Sequence, residues 1–182
     1  MLYTINTYSG KQFDPYFAEK SDICIDDIAH ALSLMTRANG HFSDFYSVAQ
    51  HSAACCLEAK ARNMSPKTAL FCLLHDSAEA YMSDVTRPVK ARMPEFKAAE
   101  EKLLSLIFDV LAGSQPDDDE KKIVKQIDDA MLHAEFHHFM NIDFDDNTEK
   151  LVHTPDFLTV PFKTAENEFL ALYKELSAKT AE

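Results

Sequence analysis

Tryptophan is absent, glycine occurs only three times, and no apolar run in the 182 residues approaches the length of a bilayer span. A spanning helix needs about 20 consecutive apolar residues, so the sequence carries no membrane segment and no membrane partner is expected. Basic residues are also scarce. Lys and Arg total 18 against 30 Asp and Glu, a net charge of −12, and they do not gather into a patch. A nucleic-acid polymer is therefore not an expected partner, whereas a small anion is admissible if the protein brings a cation to meet it. The start MLYTINTYSG has neither a basic stretch followed by an apolar one nor a small-residue cleavage site, so nothing marks export and a cytoplasmic location is expected. Cys24, Cys55, Cys56 and Cys72 lack C-x-x-C spacing and sit in apolar contexts. They read as small buried residues in a reducing compartment rather than as redox or metal groups.

What is present is an ordinary apolar share of 46% and a charged share of 26%, enough for one domain over residues 1–182. The fold class expected is all-α, with a short N-terminal β-hairpin where Ser9-Gly10 separates LYTINTY from KQFD. Helices are predicted from Ile25 to Met35 with Ser21 or Asp22 as cap, and from Ser47 to Ala61. Three further helices open at prolines: Pro66 through Ala80, Pro94 through Ala112, and Pro116 through Met140. A last helix runs from Thr164 to Ala178. The stretch from Asn141 to Pro161 is irregular, with room for a short strand at Phe157 to Val160.

Residues three and four apart share a helix face, and on that basis several polar groups fall on apolar stripes. His51 has Val48, Ala54 and Cys55 beside it, and Asp128 has Val124, Met131 and Leu132. In LLHDSAEAYMSD, His75 and Asp76 follow an apolar run, with Glu79 one turn later. Singly, each has an ordinary structural explanation: a satisfied core histidine, or an internal ion pair such as Lys125 or Arg92 with Asp128. Together, His51, His75, Asp76 and Asp128 place four groups that are costly to bury on three separate helices, and a divalent cation at their meeting point offsets all four. Two imidazoles and two carboxylates suit one transition metal, Zn, Mn, Fe, Co or Ni, with positions left for water.

These residues resemble the HD-domain metal-dependent phosphohydrolases, whose signature is His, then His-Asp, then a distant Asp. The likeness runs through IDDIAHALS, Arg37, the NGH turn, YSVAQHSAA, LLHDSAEAYMSD, TRPVK and IVKQIDDAM, a core region of about residues 25–140. It is nearest to bacterial 5′-deoxynucleotidases and small HD nucleotide phosphohydrolases. The resemblance implies a compact HD-domain helical fold with one metal held between helices. The absence of histidine between Asp76 and Asp128 favours one metal over the two-metal branches.

The activity so implied is hydrolysis of the 5′-phosphate ester of a (deoxy)nucleoside monophosphate. The alternatives are a dNTP triphosphohydrolase releasing triphosphate and, in another class, a non-catalytic nucleotide or metal sensor. Glu79 is then the catalytic acid or base, Arg37 a phosphate contact and Asp84 a sugar contact. His41, Arg87 and Lys90 are further candidates for substrate contact, or simply exposed cations near helix ends. The deoxynucleotidases follow the arginine with a tryptophan, where this chain has Ala38. A preference for deoxyribose does not carry over; Phe42, Phe45 or Tyr46 supply the bulk or belong to the core. Relatives of this kind are homo-oligomers, so a dimer or larger assembly is expected.

Overall fold

A computed structural model describes residues 3–144 and 149–180. Met1 and Leu2 of the expected hairpin stretch and residues 145–148 of the irregular segment lie outside them. Strand β1 (Ile5–Asn6) pairs antiparallel with β2 (Gln12–Phe13), Ile5 opposite Phe13. Among the described residues eight α-helices follow: α1 (Ile25–Leu34), α2 (Val48–Ala61), α3 (Pro66–Leu74), α4 (Glu79–Met82), α5 (Arg87–Lys90), α6 (Pro94–Leu111), α7 (Asp118–Met140) and α8 (Phe162–Thr180). The fold is mainly helical with a short N-terminal hairpin. Among the described residues no helix is long and apolar enough to cross a membrane.

The helix starts follow from side chains that satisfy the first free N–H groups. Ser47 Oγ accepts from Gln50 N at 3.2 Å ahead of α2, and Gln50 Oε1 accepts from Ser47 N in return. Ser65 Oγ accepts from Thr68 N at 3.0 Å ahead of α3, with Pro66 in its first turn. Asp117, directly after Pro116, caps α7 by accepting from Asp119 N and Glu120 N. The start of α1 differs from expectation: Cys24 stands at the cap position without a side-chain bond, while Asp22 accepts from Glu19 N in a preceding 3₁₀ turn.

Two elements depart from the sequence pattern. The helix expected through Ala80 stops at Leu74, after which Ser77 N donates to Leu74 O and Glu79 N to Asp76 O in tight three-residue turns before α4 resumes. His75 and Asp76 thus cap a helix end rather than lying in its interior. The strand expected at Phe157 to Val160 does not form: Phe157 takes φ +55°, outside the extended region a strand requires. Side chains meet that segment instead: Gln50 Nε2 donates to Leu158 O at 2.9 Å, and Thr159 Oγ1 to Phe45 O at 3.0 Å.

Helix α3 lies at the centre, packed against α2, α6, α7 and α8, while α1 packs on α2, α4 and α8. Leu70, Phe71, Leu73 and Leu74 are fully buried, each worth about 1.5–3 kcal/mol of transfer free energy. This apolar column rigidly seats the helix end that carries His75 and Asp76. All four cysteines are free thiols, with Cys55, Cys56 and Cys72 buried as expected.

Candidate metal centre

Three elements converge at the C-terminal end of α3. His51 comes from the first turn of α2 and is fully buried, His75 and Asp76 from the turn after α3, and Asp128 from the middle of α7. His51 Nε2 lies 3.3 Å from His75 Nε2, 3.7 Å from Asp76 Oδ2 and 3.4 Å from Asp128 Oδ1. His75 Nε2 lies 3.3 Å from Asp76 Oδ1 and 3.8 Å from Asp128 Oδ1. Ligands bound at about 2.0–2.2 Å to a common cation stand roughly 3–3.6 Å apart, so these separations fit a shared ion with little adjustment.

The outward nitrogens of both imidazoles are engaged. His75 Nδ1 donates to Cys72 O at 2.8 Å, and His51 Nδ1 donates to Glu135 Oε1 at 2.6 Å. Each Nε2 therefore turns a lone pair inward unless it gains a proton. Two such lone pairs 3.3 Å apart repel, and positive charge must come between them. Burial opposes charge on His51 and His75, and Arg37 adds to this at His51, yet Cys55, Glu135 and Asp128 around His51, and Asp76 and Asp128 beside His75, raise both pKa values above the ordinary histidine value. Burial likewise opposes charge on Asp76 and Asp128, but the histidines hold both below the usual carboxylate range, that of Asp128 far below. Protons supply the positive charge in the absence of a metal, and binding a metal there releases them.

Cys55 stands one helical turn from His51, its Sγ 3.6 Å from His51 Nε2. His51, Cys55 and His75 form a group able to hold a metal ion. Burial pushes the Cys55 thiol up, so it stays protonated until a cation displaces the proton. Cys55, expected only as a small buried residue, thus stands at the site; its i+4 spacing from His51 is the sequence signal for that position.

Beside the centre is a cavity of about 560 Å³. Its polar side carries Arg37, Asp84, Glu79 and Lys90, and its apolar side Phe42, Phe136 and Phe144. Arg37 is buried, not a flexible-turn cation: Nε and Nη2 donate to Glu135 Oε2 at 3.3 Å, while Nη1 sits 3.5 Å from Asp76 and 3.9 Å from Asp84. Backbone strain gathers where these two residues are aimed. Ala38 and Asn39, after Arg37, take φ +52°, and Ser83, before Asp84, takes φ +76° with ψ +149°. Such conformations cost about 1–3 kcal/mol each away from glycine and mark positions where the fold places a side chain deliberately.

Glu79 is buried, its Oε1 3.5 Å from Lys90 Nζ and its Oε2 without a hydrogen-bond partner among the described residues. Burial, reinforced by Asp76 and Asp84, lifts its pKa well above the carboxylate value. Lys90 is also bound to Glu100 at 2.7 Å. His41 is exposed at the end of the 37–40 turn and does not line the cavity. Of the aromatic candidates only Phe42 lines it; Phe45 is exposed, and buried Tyr46 packs on Phe139 and Phe157.

Similarity to known proteins adds little to this geometry. No family model matches the chain. It is 42% identical over 103 residues to uncharacterized protein YfdR of Escherichia coli (strain K12), 57% of this chain and 55% of that one. It is 40% identical over 87 residues to uncharacterized protein RCAP_rcc00048 of Rhodobacter capsulatus, 46% of this chain and 44% of that one. The chain thus spans about half the length of the curated relatives it matches.

Three participants had gone unremarked in the sequence. Glu135 lies seven residues after Asp128, two turns along the same face of α7, and its fully buried carboxylate ties His51 to Arg37. That i+7 spacing was legible. Phe136 and Phe144 face one another, ring centres 5.1 Å apart, because Asn141 in the left-handed conformation ends α7 and turns the chain back. Nothing local in the sequence announces that pairing.

Proposed function

We propose that the protein is a divalent-metal-dependent phosphohydrolase acting on the 5′-phosphate of small (deoxy)nucleotides, (d)NMP to nucleoside plus phosphate, as its resemblance to HD-domain phosphohydrolases implies. The observation that carries this reading is the apposition of His51 and His75 Nε2 at 3.3 Å, each with its Nδ1 proton donated elsewhere and two carboxylates alongside. His51, His75, Asp76 and Asp128 would hold the cation, which when bound supplies Lewis acidity and lowers the pKa of water.

The remaining tasks fall to the chain. Arg37, fixed by Glu135, presents the rest of its fork to a phosphoryl group. Lys90, on the cavity wall, adds a second positive charge. Glu79, its pKa raised by burial, would serve as the acid that donates a proton to the departing nucleoside oxygen. Asp84 accepts from a sugar hydroxyl, and the Phe42, Phe136 and Phe144 wall offers faces on which a base can stack.

A dNTP triphosphohydrolase is the second reading: a further cavity of about 450 Å³ reaches His75 and Asp128, edged by Arg87, Lys121 and Lys125 and walled by Leu104, Phe108 and Val124, with room beside the centre for a longer leaving group. Purified protein with Mn²⁺ or Co²⁺ and each dNMP and dNTP, assayed for phosphate and for triphosphate, decides between the two. Phosphate from monophosphates, abolished by a chelator, is expected. Bound metal without turnover of any nucleotide overturns the enzyme reading in favour of a sensor.

A further inference from the structure

Asp128 is shared between two cations on opposite sides. Its Oδ1 faces the two histidines, whereas its Oδ2 accepts from Arg87 Nη2 at 2.5 Å. The other arm of the same guanidinium, Nη1, donates to Asp129 Oδ1 at 2.7 Å. Arg87 therefore straddles two adjacent carboxylates, one of which belongs to the metal centre. It also lines the two larger cavities that reach this centre.

Three features make this contact exchangeable. The Arg87 side chain is 54% exposed, so its release from the carboxylates requires no repacking. Asp129 is already bonded to Lys125, so it keeps a cation when Arg87 leaves. Helix α5 is pinned independently, since Lys90 on its last turn is bound to Glu100 and near Glu79. Only Asp128 Oδ2 would lose its partner, and the carboxylate charge it carries is what a metal ion on the Oδ1 side would offset. A planar fork that fits two carboxylate oxygens fits two phosphoryl oxygens equally well.

We propose that Arg87 couples cation binding to anion binding: it neutralises Asp128 and Asp129 in the metal-free protein, then turns to a phosphoryl group once a cation on the Oδ1 side has neutralised Asp128. The inference rests on the metal-site reading above. It predicts that Arg87 competes with the metal when alone and recruits phosphate when the metal is present.

The test is calorimetric titration of wild type, Arg87→Ala and Arg87→Lys with Mn²⁺ alone, and then with inorganic phosphate after Mn²⁺ saturation. Arg87→Ala should bind Mn²⁺ roughly three- to tenfold more tightly, because a competing cation is gone. It should bind phosphate about tenfold or more weakly in the Mn²⁺ form, because a charge-assisted fork is gone. Arg87→Lys should fall between on both measures, and it keeps the test informative if the alanine variant folds poorly. Unchanged or weaker Mn²⁺ binding in Arg87→Ala, or unchanged phosphate binding, overturns the coupling while leaving the metal site standing. Failure of wild type to bind Mn²⁺ overturns the metal-site reading and this inference with it.

Discussion

Glu58 and Glu79 are both buried, at 0% and 6% exposure, and the structure treats them in opposite ways. Glu58 on α2 accepts from Arg62 Nε at 2.6 Å, from Val152 N at 3.0 Å and from His153 N at 2.7 Å. Arg62 in turn holds Glu149 at 2.5 Å, so the pair fastens the returning chain against α2. Burial works against the Glu58 charge, but the two backbone N–H groups and Arg62 outweigh it and lower its pKa. Glu79 has one distant ammonium and one bare oxygen, and its pKa is raised. A buried carboxylate with every lone pair met stabilises the fold; one left wanting marks a place where something else is to bind.

The largest effect should come from the centre next to Glu79. Asp128→Ala is expected to abolish Mn²⁺ binding in calorimetry and to reduce phosphate release by about 10³-fold or more, with the melting temperature changed by only a few degrees. If Asp128→Ala unfolds the protein, the site is structural and the comparison fails. Next, Glu79→Gln keeps the shape and removes the transferable proton. Its turnover number should fall by about 10²- to 10⁴-fold while Mn²⁺ binding and urea stability hold. Retained turnover would return Glu79 to the status of a wall residue.

Glu135 sharpens the contrast from the other side, since it is a satisfied buried acid that nonetheless touches the centre. Burial opposes its charge, and His51 and Arg37 hold its pKa down. Glu135→Gln weakens the grip on both and should lower Mn²⁺ affinity by about 10- to 100-fold, read by competition with a chelator. Unchanged affinity would show that the orientation of His51 does not depend on this bond.

How much of this could be read from the residues follows the same division. Capping and apolar periodicity are local, and they placed α2, α6, α7 and α8 within a few residues. The four polar groups on three apolar faces also pointed inward correctly, because helix phase carries from one residue to the next. The break after Leu74 was not legible: His75 keeps helical dihedrals, φ −61° and ψ −30°, and only its hydrogen bonds change. The roles of Glu135 and Phe144 depend on which helices meet, and that is decided by long-range packing. His41 misled because a basic residue in a turn looks the same whether or not a cavity lies behind it.

Glu58 gives the smaller effects, on stability and not on chemistry. Glu58→Ala strips acceptors from two backbone N–H groups and Arg62, and should cost about 2–4 kcal/mol in urea unfolding with turnover within about twofold of wild type. The isosteric Glu58→Gln isolates the charge. Because the folded pKa lies below the model-peptide value of 4.5, the folded state binds fewer protons than the unfolded state as pH falls. The ionised side chain therefore stabilises the fold fully above about pH 4.5, and this contribution is lost as pH drops through the folded value. The unfolding free energy of metal-free wild type should exceed that of Glu58→Gln by a constant margin near pH 7, and the margin should shrink below about pH 4.5. A margin that persists or widens on acidification would mean that Glu58 acts through its shape alone, and the two glutamates would then differ in packing rather than in the handling of charge.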